Sequence, residues 1–469
     1  MRIYKGKVYL VGAGPGDPNL ITVKGREILR QAEVVIYDYL VDRRILDEAT
    51  PGAELVCCDK LGKNKYSDGF LIHQERINNL IVKKAKQGKK VVRLKNGDPS
   101  IFSRLSQELN VLVKNKIDFE IVPGVTAASA ASCLNGIPLT DRRFASACVF
   151  ATGHEDPKKE RSSLDWDSLA RSGTIVLYMA VENLNKIVNE LLRAGKDANT
   201  PVAIVQNASL LDQKILSGTL KDIAKKAKDE KIRPPAIIII GETAKLEKDF
   251  NWLNKNKRTL FTGLSKERFF IQGTYFHLPL IKIEPLSDYT EFDNYLKKIG
   301  QFDWIIFTSR FGVQYFFERL NKAGFDSRVL KDINIAAIGN STRNKLLEFG
   351  ISADLVPKTE SSKGVLNAFK EIDIKDNRIF LPRSDISDKG LTKGLRELKT
   401  RVFASIAYKN VMPNNLPDLN LNYFDEIMFT SPSGIRNFIK RYDNLPQRVK
   451  VSCIGEVTRS EARKWRLLR

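Results

Sequence analysis

Residues 7–18 read KVYLVGAGPGDP: five strand-forming, mostly apolar residues, then glycines at 12, 14 and 16, then Asp17 and Pro18. The pattern predicts a strand that stops in a tight turn before a helix, because glycine supplies positive φ and lets other groups approach the backbone. A dinucleotide fingerprint needs its third glycine at position 17, where an aspartate stands. That anion at a helix start also opposes a phosphate. Taken alone, the turn stays open between a ligand cradle and a plain strand–helix connection. Working outward, short apolar runs at residues 33–37, 90–94, 174–178, 202–205 and 236–240 alternate with helix-like stretches, which predicts α/β architecture. Residues 244–258, AKLEKDFNWLNKNKR, break that rhythm and mark a boundary; Trp252 and Leu253 within it predict packing against a neighbour rather than a free tether.

The 469 residues are too many for one ordinary core and suggest roughly 2–4 domains. Hydrophobic content of 42% with 28% charged residues is that of a globular chain. No run of about 18 apolar residues is present, so no membrane span is expected. The first residues lead straight into a strand without a signal-peptide apolar region. Cys57, Cys58, Cys133, Cys148 and Cys453 lack metal-ligand spacing, and only three histidines could assist. The expectation is a reduced, cytoplasmic protein with no structural metal. A net charge of +22 leaves three readings: solvated helix faces, a polyanionic small substrate, or nucleic acid. Acids interleave with the lysines, and no arginine-rich arm or aromatic-basic stripe accompanies them, so nucleic acid is not expected.

Beyond the boundary the chain repeats itself. Phe302-Asp-Trp-Ile-Ile-Phe-Thr-Ser-Arg-Phe-Gly-Val recurs as Phe424-Asp-Glu-Ile-Met-Phe-Thr-Ser-Pro-Ser-Gly-Ile. Ile333-Asn-Ile-Ala-Ala-Ile-Gly-Asn-Ser-Thr342 recurs as Val449-Lys-Val-Ser-Cys-Ile-Gly-Glu-Val-Thr458. Four blocks in one order predict two related lobes. In each, an apolar strand ends in Thr-Ser or Ile-Gly just where a helix begins. Helix-start N–H groups with hydroxyls beside them form an anion site, which marks Thr308, Ser309, Thr342, Ser431, Ser433 and Thr458. Simple N-capping is the competing reading.

In the first half, GAGPGDP (12–18), Tyr37-Asp38, VRLKNGDP (92–99), VPGVTAA (122–128), GIPLT (136–140), TGH (152–154), VLYM (176–179) and PVAIV (201–205) follow in order. This set resembles the tetrapyrrole methylase family, most closely uroporphyrinogen-III C-methyltransferases, over about residues 5–245. The resemblance implies two α/β lobes with S-adenosylmethionine in the cleft between them and S-adenosylhomocysteine as product. By motif position Pro15, Asn96, Gly97, Asp98, Ile101, Thr126, Ala127, Met179 and Ala208 would line that cleft. Asp38 and Lys60 match acid/base residues, and Arg104 and Arg142 match substrate-facing arginines suited to carboxylates. Alone, Asp38 also reads as a helix cap and Lys60 as a surface charge. Asn96 stands where the family has glycine, Asp141 where it has histidine, and residues 102–108 replace its glycine-rich FGRGxEE.

From residue 258 on, LPLIKIEP (278–285), the paired Phe-Thr-Ser blocks, AIGNST (337–342) and SIAY (405–408) resemble uroporphyrinogen-III synthases. That implies two flavodoxin-like α/β lobes, ring closure of hydroxymethylbilane to uroporphyrinogen III, and a role for Tyr408 in hydroxide departure. The expected division is 1–245 for the methyltransferase, 246–257 for a linker and 258–469 for the synthase. Within the synthase, one lobe is expected from 258–287 plus 411–469 and the other from 288–410. The family continues with a further strand and helix, so the C-terminal lobe is expected to be truncated. A homodimer through the methyltransferase half is implied by resemblance. Two alternatives stay open: a different precorrin methylase, and a tetrapyrrole-binding protein with decayed activity.

Overall fold

A computed structural model of the chain describes residues 6–58, 69–153, 164–265, 271, 274–387 and 389–468. The first five strands are β1 (Lys7–Gly12), β2 (Val34–Tyr37), β3 (Glu54–Cys57), β4 (Val91–Lys95) and β5 (Asp118–Val122). They pair in the order β3-β2-β4-β1-β5, all parallel. Parallel strands need both faces covered. The sequence supplies this with continuous apolar runs: Val8, Leu10, Val34 and Ile36 pack on one side, Tyr9, Val11 and Val35 on the other. The chain leaves β1 toward β2 and leaves β4 in the opposite direction toward β5. The crevice where such connections diverge, at the strands' carboxyl ends, is the usual ligand position in an open α/β sheet. It lies between β1 and β4.

The second sheet contains β6 (Cys148–Thr152), β7 (Thr174–Tyr178), β8 (Pro201–Gln206), β9 (Lys214–Thr219) and β10 (Ala236–Gly241), ordered β6-β7-β10-β8-β9. Only β6 and β7 run parallel; β10 lies antiparallel between β7 and β8. The apolar Ile237–Ile240 stretch suits this central place, since its residues alternate between two buried cores. After it come two short helices, Glu247–Phe250 and Trp252–Lys255. Leu253 is buried, and Trp252 Nε1 donates to the Cys133 carbonyl at 2.8 Å. The polar 244–258 stretch therefore lies against the first half.

The remaining strands are β11 (Arg258–Phe261), β12 (Thr274–His277), β13 (Lys282–Glu284), β14 (Trp304–Phe307), β15 (Asn334–Ala337), β16 (Arg378–Ser384), β17 (Arg401–Val411), β18 (Glu426–Phe429) and β19 (Lys450–Cys453). They form two sheets, β12-β11-β18-β19 and β13-β17-β16-β14-β15. The repeat makes β18 and β19 equivalent to β14 and β15, so the parallel core order is the same in both lobes. Register is conserved too: Ile305 faces Ile335 where Ile427 faces Val451. The chain passes between lobes twice, and the two passages touch. β13 pairs antiparallel with residues 409–411 of β17, so residues 282–284, expected with the 258–287 lobe, sit in the sheet of the other one. Nearby, Tyr289 Oη accepts from Leu286 N at 3.2 Å and donates to the Ala407 carbonyl at 3.0 Å.

Candidate active site

Three loops meet beyond β1, β4 and β5, and glycine lets them do so. A Cβ on Gly12 would lie 2.6 Å from Gly124 Cα, and one on Gly124 would lie 2.3 Å from the Gly97 carbonyl oxygen. Gly14 and Gly97 exchange backbone bonds of 3.2 and 2.8 Å, pinning the first loop to the second. Gly97 has φ of +68°, and its missing Cβ would meet nothing closer than 3.8 Å, from Thr126 and Ala127. The three loops are jammed together at Gly12 and Gly124, whereas a Cβ on Gly97 would make only ordinary contacts. Asp98 holds the arrangement: Oδ2 accepts from Gly124 N at 2.9 Å and Oδ1 from Ser100 N at 2.7 Å and from the Ser100 hydroxyl. Burial pushes its carboxyl up, but the Ser100 and Gly124 bonds outweigh that and leave it below the usual range. Beside Gly97, Asn96 Oδ1 is buried with no hydrogen-bond partner. A buried acceptor without a donor calls for a ligand or water.

Under this floor lies a charge cluster. Arg93 is 3% exposed, Lys95 1% and Glu108 0%. Arg93 bonds Asp38 at 2.5 Å and Glu108 at 2.9 Å, and Lys95 bonds Glu108 at 2.8 Å. Two cations face two carboxylates, which makes their burial tolerable. Burial alone raises the Asp38 carboxyl, but Arg93 and Lys95 outweigh it and hold the group below its ordinary value. The second Asp38 oxygen accepts from Asn96 N at 3.1 Å, so this ionised group positions the loop carrying Asn96 and Gly97. From the end of β7, Tyr178 places its Oη 2.7 Å from Thr126 Oγ1, and its ring is 5.0 Å from that of Phe102. Next to it Met179, at φ of +51°, is exposed.

In the C-terminal lobes the two Thr-Ser turns cap helices in the same way. Ser309 Oγ accepts from Gly312 N at 2.9 Å, and Ser431 Oγ from Gly434 N at 3.2 Å. They differ in what else they hold. Ser309 Oγ lies 2.8 Å from Tyr408 Oη, whereas Ser431 pairs with Ser433 at 3.2 Å. Tyr408 is 6% exposed and packs on Tyr315 and Phe311. Burial pushes its phenol up, against the pull of Ser309 and Ser384. Thr308 is half-buried beside this turn.

The family model for Tetrapyrrole (Corrin/Porphyrin) Methylases matches residues 7–224, and that for uroporphyrinogen-III synthase HemD matches residues 271–468. A porphyrin biosynthesis protein HemD of Ruminiclostridium josui is 33% identical over 491 residues, 98% of this chain and 94% of its own. An S-adenosyl-L-methionine-dependent uroporphyrinogen III methyltransferase of Methanosarcina barkeri is 46% identical over 51% of this chain and 93% of its own. The crystal structure of a Thermus thermophilus uroporphyrin-III C-methyltransferase complexed with S-adenyl homocysteine is 37% identical and covers 51% of this chain and 100% of its own, with a TM-score of 0.44. The chain belongs to both families, tetrapyrrole methylase first and uroporphyrinogen-III synthase second.

In the methylase half, the structure brings Asn96, Gly97, Asp98, Thr126 and Ala127 together, with half-buried Ile101 on the same loop. Pro15 is buried where its loop meets the 207–210 turn: Asp17 N donates to Ser209 Oγ at 3.1 Å. Ala208 is buried in the core with Ala128 and Val205. Asn96 is not among the residues with positive φ, so asparagine in place of glycine strains nothing there. Asp141 pairs with Arg143, not Arg142, and its carboxyl falls to about 2 through the Arg143 side-chain and backbone bonds. Arg142 is exposed; Arg104, also exposed, has φ of +58° and begins the helix Leu105–Lys114. Lys60 lies outside the described residues.

In the synthase half, Thr342 and Thr458 do not sit as open carboxylate ligands. Both are 3% exposed, at equivalent positions of the first turn. The helix start near Thr342 is already served by Glu360, whose Oε1 accepts from Asn340 N at 3.1 Å. Five contributors escaped the sequence reading: Tyr178, Arg93, Lys95, Glu108 and Glu360. Tyr178 adjoins Met179 in a motif already singled out. Lys95 and Arg93 alternate in an otherwise apolar strand, a sign that a buried counter-charge such as Glu108 must exist. Glu360 has no local signal.

Proposed function

We propose that the first half methylates uroporphyrinogen III to precorrin-2 with S-adenosylmethionine, and that the second closes hydroxymethylbilane to uroporphyrinogen III. The chain divides for this purpose into residues 1–245, the 246–257 connector and 258–469. The observation that carries the methylase reading is the partnerless Asn96 Oδ1 beside Gly97, on the loop pinned to Gly14 and crowded against Gly124. A glycine at positive φ lets a cofactor approach the backbone closely, and the orphan acceptor fits a hydroxyl or ammonium donor. Asn96, Gly97, Ile101, Thr126, Ala127 and Met179 would hold it, with Pro15 and the Ala208 backbone at the edges and Asp98 clamping the loops. The bound cofactor supplies an electrophilic methyl group. The protein's part is alignment, and retention of a charge pattern that favours the cationic ring formed on methylation. Asp38, held low, is a weak base but a persistent anion for that purpose. Lys60, Arg104 and Arg142 are assigned the remaining proton and carboxylate contacts.

In the synthase half, Ser309, Thr308, Ser431 and Ser433 receive substrate carboxylates at the two helix starts, and Tyr408, bonded to Ser309, assists loss of the terminal hydroxyl. Pro432 removes one N–H from the second start, so the lobes should bind unequally. The methyltransferase half is assigned a homodimeric assembly. The test supplies hydroxymethylbilane to purified protein with and without S-adenosylmethionine and identifies the macrocycle. The expected products are precorrin-2 with the donor and uroporphyrinogen III without it. Only the unrearranged isomer, and no methyl incorporation from labelled donor, would sink the proposal.

A further inference from the structure

One surface of the 288–410 lobe serves neither constellation described above. β13 pairs only with residues 409–411 of β17, and among the described residues no strand pairs with the outer edge of 401–408. Beside that edge is a cavity of about 760 Å3, a size typical of small-molecule sites. On one side of the strand, half-buried Tyr295 and Phe403 have ring centroids 6.0 Å apart; Ala404 lines the groove from the other side, beside Val402. The opposite wall is basic. Lys389, Lys393 and Arg396, spaced i, i+4 and i+7, line one face of the helix Gly390–Glu397. Arg383 from β16 joins them and donates to Thr392 Oγ1 at 3.2 Å. The single acid in the lining, Glu397, is 4.0 Å from Lys393 with both groups exposed, and so neutralises little.

A merely solvated basic helix face has no need of a concavity beside it, and the rings at the groove also pack with Phe302, with Arg378 lying over Phe403. The combination matches a ligand with an apolar ring and several carboxylates, which meets the ring edges at one side of the strand and pairs with the cations at the other. We propose that this groove binds a ring-bearing polycarboxylate, at a site separate from the interlobe turns. The choice of ligand class rests on the synthase reading; the groove itself does not. Ala404 precedes Tyr408 by four strand residues, roughly 13 Å along the strand, so the groove is not the Ser309–Tyr408 constellation. A ligand held there is retained near the synthase face, where uncompensated cations raise its local concentration.

Uroporphyrin I, a stable oxidised octacarboxylate, is the probe. Fluorescence titration of the full chain should show an equivalent of binding whose dissociation constant rises at least tenfold in K389E/K393E/R396E, with synthase kcat unchanged. The neutral variant K389Q/K393Q/R396Q should weaken it by a smaller factor, which separates charge loss from misfolding. Hydrogen exchange should slow across residues 389–404 when uroporphyrin I binds. Unchanged affinity and stoichiometry in the charge-reversed chain overturn the inference, as does protection confined to residues 308–312 and 430–434. Citrate displacing the probe at equal charge concentration overturns the requirement for a ring. Ring closure of hydroxymethylbilane without groove binding defeats this inference alone; groove binding without ring closure defeats the synthase assignment alone.

Discussion

Glu108 is fully buried between Arg93 and Lys95, and its neutralisation would leave two cations facing only Asp38. Breaking such a cluster from one side costs about 3–5 kcal/mol, so Glu108→Gln should lower stability by that order in urea unfolding. Asp38→Asn removes a carboxylate that still reaches solvent, so its stability loss should be smaller while methyl transfer falls steeply. An equal loss in both variants, with methylation tracking folded protein, would reduce Asp38 to a structural ion. Tyr408→Phe tests the other half. It removes one bond to Ser309 while Ser309 keeps its cap on Gly312, a stability change of about 1 kcal/mol. Synthase turnover should drop by far more than that change explains; an unaltered rate and isomer purity would free Tyr408 of any part in the chemistry.

Single elements show where sequence was legible and where it was not. β1 and β4 were readable because buried parallel strands are continuous apolar runs bounded by glycine turns. The paired lobes were readable because a repeat preserves strand order and register together. The central antiparallel place of β10 was not, since an all-apolar run carries no direction. Nor was the burial of Thr342 and Thr458: a threonine in a helix's first turn looks the same whether its methyl or its hydroxyl is what the fold uses. Edge strand β5 makes a prediction of its own. Glu120 ties it to Lys7 at 2.8 Å and also contacts Lys24, and the side-chain bonds from Lys24 and Lys7 bring its carboxyl from 4.5 to about 2. A folded value below the unfolded one means the stabilisation is complete above pH about 4.5 and fades as pH falls toward about 2. Urea midpoints should therefore decline through that window, and Glu120→Gln should flatten the decline. Parallel curves for the two proteins would show the clamp to be idle.

At the scale of the whole molecule, the net charge of +22 was legible but its purpose was not. Much of it is spread over exposed helices, in pairs such as Lys226 with Asp222, and such pairs contribute little to stability. What the distribution does favour is encounter with anions, because a summed positive field steers them before any contact forms. The two small molecules assigned here differ in sign. The linear tetrapyrrole carries many carboxylates, whereas S-adenosylmethionine carries a single net positive charge. Raising ionic strength from about 50 to about 300 mM shortens the screening length about 2.5-fold, from about 14 to about 6 Å, enough to quench attraction beyond the first contact shell. The KM for hydroxymethylbilane should then rise several-fold with kcat steady, while the dissociation constant for S-adenosylmethionine, read by calorimetry, changes less than twofold. Equal salt dependence for both ligands would show that the charge serves solubility rather than capture.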